Sequence, residues 1–152
     1  MRVALDSNVL IYSAGVIKVE QDRAKKVLIR PMIDALDMHA TVVCPLQTFG
    51  EAFSVMHKSG RSREQCRDKL EEWAARFETA SSGESAYLSA INLATDHKLQ
   101  FWDALIICVS ADAGCQMLLS EDLQAGFVWR GLRVVNPFAP ELDQRLSRLL
   151  AG

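Results

Sequence analysis

The chain has 152 residues, 49% of them hydrophobic, and a formal net charge of −2 at pH 7. This composition excludes a disordered chain, and the length fits one domain over residues 1–152 with a hydrophobic core. The apolar runs are too short for a transmembrane helix, and the charge argues against a protein that holds nucleic acid mainly through phosphate contacts.

The amino-terminal half of the chain alternates short apolar strands with segments of helical periodicity. In chain order, it predicts a strand over 3–5, a helix over 8–14, a helix over 18–38, a strand over 41–44 and a helix over 45–60. Proline lacks a backbone N–H, so Pro31 predicts an interruption of the long helix. Pro45 suits the first turn of the helix that follows.

The carboxyl-terminal half continues this alternation. In chain order, it predicts a helix over 62–77, a strand over 77–80, helices over 84–99 and 102–112, strands over 116–119 and 132–135, and a helix over 140–150. Two helix starts match the capping-box pattern, in which a serine and a Glu or Gln three residues later bind each other's backbone N–H groups. These boxes begin at Ser62 and Ser81.

The alternation of strands and helices predicts the fold class and the place of the site. It is typical of an α/β protein with three layers, in which helices cover both faces of a parallel sheet. Such sheets bind ligands beyond the carboxyl ends of their strands, where the strand order reverses. The residues that directly follow each strand are therefore the first candidates for function.

Four acidic residues stand at positions that predict a shared site. Asp6 ends the first strand and Asp122 follows the fourth, whereas Glu51 and Asp103 lie within apolar stretches of helices. A buried acid is costly unless it is paired or binds a metal ion. Carboxylates are the ligands that Mg²⁺ and Mn²⁺ prefer, so the set predicts one site for such a cation.

Each acid also has a local interpretation. Asp6 suits an Asx turn at a strand end, Asp103 suits the first turn of a helix, and Glu51 suits the polar side of a helix. Asp122 and its neighbour Glu121 suit a solvated loop. A phosphatase that uses an aspartate nucleophile is a distant alternative, because such enzymes need a second aspartate two residues after the first, where this chain has Asn8.

Other kinds of site lack their patterns. His39, His57 and His97 are scattered without an HExxH motif, no Ser/His or Cys/His arrangement is evident, and no glycine-rich phosphate loop occurs. The four cysteines form no CxxC pair and no zinc-type spacing, which predicts reduced thiols packed as small apolar groups. Together with the early carboxylate of Asp6, which argues against a signal peptide, they predict a cytoplasmic protein without membrane contact.

The motifs that carry these acids resemble those of a known family. Residues 5–12 (LDSNVLIY), the helical Glu51, residues 101–106 (FWDALI) and residues 119–123 (LSEDL) are similar to the successive motifs of PIN-domain nucleases. Residues 131–138 resemble the last strand of the VapC-type toxins in that family. The resemblance implies five parallel strands in the order 3-2-1-4-5, with strands 1 and 4 side by side.

The resemblance also implies an activity and its residues. It implies that Mg²⁺ or Mn²⁺ supports hydrolysis of RNA phosphodiester bonds, which leaves 5′-phosphate and 3′-hydroxyl ends. The catalytic and metal-binding acids it implies are Asp6, Glu51, Asp103 and Asp122, with Asn8 and Ser120 in support. This chain departs from the family in having Ser7 where threonine is more frequent. The fourth acidic position is irregular in the family, so Glu121 is an alternative to Asp122.

The partners follow from the same resemblance. It implies an RNA substrate, a cognate antitoxin protein and a homodimer, with the helix over 18–38 and the leucine-rich segment over 140–150 as possible protein contacts. Arg61 and Arg63 are candidate RNA contacts, or else a solvated helix end. Trp102 is a candidate for stacking on a base, or else packs in the core. A PIN-type RNA-processing nuclease outside toxin–antitoxin systems and a non-catalytic α/β interaction module remain alternatives.

Overall fold

The computed structural model describes residues 1–17 and 19–152. Its elements in chain order are β1 (Arg2–Leu5), α1 (Ser7–Ser13), a 3₁₀ turn (Glu20–Asp22), α2 (Arg23–His39), β2 (Thr41–Pro45), α3 (Leu46–Lys58), α4 (Arg63–Arg76), β3 (Glu78–Ala80), α5 (Glu84–His97), α6 (Phe101–Asp112), β4 (Met117–Leu119), β5 (Val128–Trp129), β6 (Leu132–Val135) and α7 (Gln144–Ala151). The predicted start of the second helix, Lys18, lies outside the described residues.

The strands form one mixed sheet in the order β3-β2-β1-β4-β6-β5. Five of them are parallel and match the five predicted strands in the predicted order, which confirms the expected fold. The sixth, β5, was not predicted: it has two residues and pairs antiparallel with β6 at the sheet edge. Its tight turn places Arg130 and Gly131 at positive φ, a conformation that glycine adopts without strain.

Helices cover both faces of the sheet, so the protein has the expected three layers. One apolar cluster packs α1, α2, α3, α4 and α7 against the sheet, and a second packs α5 and α6 on the opposite face. In β1, Val3 and Leu5 belong to the first cluster and Ala4 to the second, and all three are fully buried. Burial of both faces explains why this strand is continuously apolar rather than alternating.

The two helices proposed as protein contacts differ in the structure. In α7, Leu146 is fully buried in the first cluster, and Leu149 and Leu150 pack against that cluster. The leucine-rich end of the chain is therefore core, and its interpretation as a contact surface is wrong. In α2, by contrast, Val27 and Met38 are 70% and 73% exposed.

The expected break at Pro31 does not occur, because α2 continues from Arg23 to His39 with Pro31 inside it. Pro31 lies on an exposed side of the helix, where water can satisfy the backbone carbonyl that loses its donor. Pro45 is the last residue of β2 and precedes α3, rather than standing in its first turn.

The four cysteines are buried, and burial limits the reactivity of a thiol. Cys44, Cys66, Cys108 and Cys115 are all buried free thiols, as expected of cysteines that pack as small apolar groups. Burial raises the pKa of Cys44 to about 12 and those of Cys108 and Cys115 to about 11, which disfavours the reactive thiolate. Within 1–17 and 19–152, no helix combines the length and apolarity that a membrane span requires.

Only one of the two predicted capping boxes forms. At α4, the Ser62 hydroxyl accepts from the Gln65 N–H at 3.1 Å, and the Gln65 side chain accepts from the Ser62 N–H at 2.9 Å. The box predicted at Ser81 is wrong: α5 begins at Glu84, and Gly83 precedes it without a side-chain cap. The pattern begins directly after β3, and the chain does not turn into a helix until after Gly83.

This difference gives a test of local stability. Replacing Ser62 by alanine is expected to lower the free energy of unfolding by about 1 kcal/mol, because a first-turn N–H loses its acceptor. That loss corresponds to roughly 2–4 °C in melting temperature for a chain of this size. Ser81→Ala is the matched control and should change little. Equal shifts in thermal denaturation of the two variants would contradict the assignment.

Candidate active site

The acidic residues after β1 and β4 meet at one edge of the sheet. The two strands are parallel neighbours, and Leu5 pairs with Leu119, so Asp6 and the segment from Ser120 onward leave the sheet side by side. The chain order reverses between these strands, as expected for a ligand site. Glu51 lies in the same region on α3, which begins at the carboxyl end of β2. Asp103 also lies there, in the first turn of α6.

Asp6 is buried and fixed by two hydrogen bonds. Its carboxylate is 5% exposed, and it accepts from the backbone N–H of Ser7 at 2.7 Å, which caps α1. The second oxygen accepts from the Ser120 hydroxyl at 2.7 Å. That hydroxyl also accepts from the backbone N–H groups of Asp122 and Leu123 at 3.2 and 3.3 Å. Ser120 therefore joins the first acid to the loop that carries the fourth.

The pKa shifts show that the four carboxylates interact. Burial raises the pKa of Asp6 to about 6, and the charges of Glu51 and Asp122 add to this rise, although hydrogen bonds from Ser120 and Ser7 oppose it. Burial also raises the pKa of Asp103, again with contributions from Asp122 and Glu51. Burial is the main cause of both shifts, and the charges of Glu51 and Asp122 contribute to each, as expected when carboxylates lie near one another.

Two amide side chains orient Asp122 and Glu51. Asn8 donates from Nδ2 to Asp122 Oδ2 at 2.9 Å, which fits its predicted supporting place. Gln47 donates from Nε2 to Glu51 Oε1 at 2.7 Å and lies 3.4 Å from the backbone oxygen of Trp102. Gln47 was not predicted. Its position one helical turn before Glu51 on α3 is the sequence signal that was available.

Glu121 and Asp122 have different surroundings although they are adjacent in the chain. Glu121 accepts from the Tyr12 hydroxyl at 2.6 Å and from Lys25 Nζ at 2.6 Å. The same ammonium contacts Asp22 at 2.9 Å, so Glu121 has a cationic partner that it shares with Asp22. Sequence reasoning did not anticipate this network, whose members are brought together only by the fold.

The four clustered acids, unlike Glu121, have no cationic partner among the residues that the structure describes. Among residues 1–17 and 19–152, no Lys, Arg or His nitrogen lies within 4.0 Å of the carboxylates of Asp6, Glu51, Asp103 or Asp122. A cluster of carboxylates whose negative charge is not neutralised is unfavourable, and a bound cation commonly neutralises such a cluster.

The donor atoms at this edge suit a hard cation that keeps water ligands. Two buried amide oxygens, Asn8 Oδ1 and Gln47 Oε1, find no hydrogen-bond donor within the described part of the chain. Within the same part, no three Asp, Glu, His or Cys side chains lie close enough together to ligate one ion directly. Mg²⁺ typically takes one or two carboxylates and retains several waters, whose hydrogens suit such acceptors. The residues therefore fit a hydrated divalent cation.

A cleft opens beside these acids between α1 and α3. Its volume is about 490 Å³, and Glu51 and Asp122 contribute to its wall. The remaining lining residues are Ser7, Asn8, Ile11, Gly50, Ser54 and Val55. The cleft provides access from solvent to the acidic cluster for a ligand larger than an ion.

The three other candidates for nucleic-acid contact, Arg61, Arg63 and Trp102, have different surroundings in the structure. The guanidinium of Arg61 donates to the backbone oxygen of Ala14 and lies 3.6 Å from Met56 Sδ, so this side chain joins α1 to the end of α3. Its assignment as an RNA contact is therefore replaced by a structural one. Arg63 is exposed at the start of α4 and stays a predicted contact. Trp102 is 51% exposed, so its interpretation as a core residue is wrong.

Comparisons with known proteins agree with this geometry. The family model described as PIN domain matches residues 3–126, a range that contains all four acids. The fold is similar to a toxin–antitoxin complex from Klebsiella pneumoniae, with a TM-score of 0.63 and 17% identity over 90% of this chain and 98% of that one. It is also similar to VapBC2 from Rickettsia felis bound to a DNA fragment from their promoter, with a TM-score of 0.66 and 16% identity over the same shares.

At these identities the two structures show the fold alone, and a search of curated protein sequences gives no match. The family model, however, covers most of the chain and confirms the resemblance inferred from its motifs. The chain belongs to the PIN domain family, whose members are generally nucleases.

Proposed function

We propose that the protein is a Mg²⁺- or Mn²⁺-dependent endoribonuclease and the toxin of a VapBC-type toxin–antitoxin pair. The observation that carries the proposal is the cluster of four carboxylates at the edge where β1 and β4 meet, for which the described part of the chain supplies no cationic partner. A phosphodiester is itself an anion, so this cluster can approach one only when its charge is neutralised. Membership of the PIN domain family gives independent support.

Asp6, Asp103 and Asp122, together with Glu51, are the residues that would hold one or two ions. Some of these contacts would run through water bound to the ion, because no three of the described acids lie close enough together to ligate one ion directly. When bound, Mg²⁺ supplies a water of lowered pKa as nucleophile and stabilises the charge on the leaving oxygen. Asn8 and Ser120 keep the carboxylates in place by the hydrogen bonds described above. No side-chain nucleophile is required, which is consistent with the sequence.

The direct test is cleavage of an end-labelled single-stranded RNA by the purified protein. We expect cleavage with Mg²⁺ or Mn²⁺, none with EDTA, and recovery when the metal is restored in excess. The products should carry 5′-phosphate and 3′-hydroxyl ends, which permits their ligation without further treatment. Cleavage that persists in EDTA, or products that end in a 2′,3′-cyclic phosphate, would refute metal-dependent hydrolysis by this site.

The exposed side of α2 supports the partner part of the proposal. Val27, Leu28 and Met38 are 70%, 55% and 73% exposed, which is unfavourable for apolar side chains that face water. An antitoxin helix or groove that covers this side would bury them. Growth arrest on expression, relieved by a neighbouring small reading frame, is the expected result. Active RNA cleavage without arrest would favour a processing nuclease outside toxin–antitoxin systems.

The contrast between Glu121 and Asp122 gives a paired prediction. Glu121→Gln should keep cleavage within a few-fold of wild type but lower the free energy of unfolding by about 1–2 kcal/mol, because Lys25 loses a charged partner. Asp122→Asn should lose at least about a hundred-fold in cleavage rate, because a carboxylate of the cluster is removed. Cleavage assays and thermal melts of both variants check this. The reverse result would make Glu121 the fourth acid.

A further inference from the structure

Trp102 stands at the rim of the acidic cluster. It directly precedes Asp103 in the first turn of α6, and its backbone oxygen lies 3.4 Å from Gln47 Nε2. The same nitrogen donates to Glu51 at 2.7 Å. Trp102 is therefore connected to two of the four acids, to one through the chain and to the other through Gln47.

The indole ring of Trp102 is exposed and held in place. It is 51% exposed, whereas Trp73 in the core is 4% exposed. The ring of Phe101 packs edge-on against it at 5.0 Å between centroids, and the ring of Tyr87 lies 5.6 Å from that of Phe101. These aromatic contacts support the indole, and a held ring loses little conformational freedom when a ligand stacks on it.

The charges of the protein favour a nucleobase as the group that contacts this ring. The net charge of −2 and the acidic cluster disfavour binding through phosphates. Two basic side chains are already used within the fold, since Arg61 donates to the Ala14 carbonyl and Lys25 pairs with Asp22 and Glu121. Stacking does not depend on charge, so it can supply affinity where phosphate contacts are few.

We propose that Trp102 stacks on an unpaired base of single-stranded RNA next to the scissile phosphate. The inference rests on the proposed function and adds a substrate-binding residue and a substrate class to it. Bases within a duplex are not free to stack on a protein side chain, so this contact selects single strands. Because every base presents a flat ring, the contact fixes a position on the strand without reading its sequence.

Binding is measured with a fluorescent single-stranded oligoribonucleotide in Ca²⁺, and cleavage with the same strand in Mg²⁺. Trp102→Ala should weaken binding roughly ten-fold, within the roughly 5- to 150-fold that stacking contributes per base. KM should rise by a similar factor while kcat stays within about two-fold, because the lost contact is uniform binding. The slope of log Kd against log salt should not change, and Trp102→Phe should restore most of the affinity.

Trp129→Ala is the matched control. Trp129 pairs with Leu132, the first residue of β6, so it lies near the amino ends of the parallel strands, whereas the acids lie at the carboxyl ends. This variant should bind and cleave as wild type does. A strand with one abasic nucleotide, moved along the sequence, locates the stacked base. At that position the abasic strand should weaken binding to wild type but cause no further loss with Trp102→Ala, as a double-mutant cycle requires.

Several outcomes would overturn the proposal. Equal binding and cleavage by wild type and Trp102→Ala would reject the stacking contact while leaving the proposed nuclease intact. Additive losses from the abasic nucleotide and the substitution would also reject it. A dimer in wild type that becomes a monomer in Trp102→Ala would assign the ring to contact between copies of the chain. Failure of wild type to cleave RNA at all would remove both proposals together.

Discussion

Replacing Asp103 by asparagine is expected to reduce Mg²⁺-dependent RNA cleavage by at least about a hundred-fold while the protein stays folded. The side chain is half-buried in the first turn of α6, and burial together with Asp122 and Glu51 raises the pKa of its carboxyl. Asparagine keeps the shape but not the charge that a cation requires. A loss of about 2.7 kcal/mol in transition-state stabilisation corresponds to a hundred-fold in rate.

The matched control lies at the other end of the same helix. Asp112 is the last residue of α6 and is exposed, 4.0 Å from Arg130. Asp112→Asn removes the same charge from the same helix and should leave the cleavage rate within about two-fold of wild type. Single-turnover cleavage and thermal melts of both variants separate a catalytic loss from misfolding. Asp103→Asn cleaving within ten-fold of wild type would show that the cluster is not the site.

The central parallel strands were predictable because they are buried on both faces. Such strands are short runs of apolar residues separated by helices, and this pattern stands out in residues 3–5 of β1 and in β4. The edge strand β5 was not predictable, since its two residues are too few to show a period and its pairing is set by the turn at Arg130 and Gly131. The break expected at Pro31 failed because helix packing outweighed a local rule.

The acids of the site were predictable for a different reason. An acid at a strand end or within an apolar stretch conflicts with its surroundings, and such conflicts are common at functional sites. The contacts that distinguish two adjacent acids were not predictable. Glu121 meets Lys25 and Tyr12 across 96 and 109 residues of sequence, so only the folded chain shows that it has a cationic partner. The open choice between Glu121 and Asp122 therefore required coordinates.

Replacing Asp6 by asparagine is expected to stabilise the metal-free protein at pH 7. The folded carboxyl has a pKa of about 6, compared with 3.8 for an ordinary aspartate. The native state therefore binds the proton more tightly than the unfolded state, and keeping Asp6 ionised at pH 7 costs about 3 kcal/mol. Asparagine removes this cost.

The substitution also has an opposing effect. Asparagine has one acceptor oxygen where the carboxylate has two, so it can accept from the Ser7 N–H or from the Ser120 hydroxyl but not from both, and a lost hydrogen bond costs about 1 kcal/mol. The electrostatic gain is the larger of the two, so the net stabilisation is about 2 kcal/mol. That corresponds to a rise of roughly 4–8 °C in melting temperature. A melting temperature that falls in Asp6→Asn at pH 7 without metal would contradict an unfavourable ionised carboxylate at Asp6.

The dependence on pH and metal follows from the same shift. As pH falls from 7 through 6 towards 4, the native carboxyl takes up its proton first, so metal-free wild type should gain stability. Asp6→Asn should lack this component, and the advantage of the variant should shrink over the same range. Mg²⁺ should raise the melting temperature of wild type, because an ion that binds only the folded cluster stabilises it by mass action. In Asp6→Asn that response should be lost together with cleavage, since the same carboxylate that destabilises the metal-free protein is the one that would hold the ion.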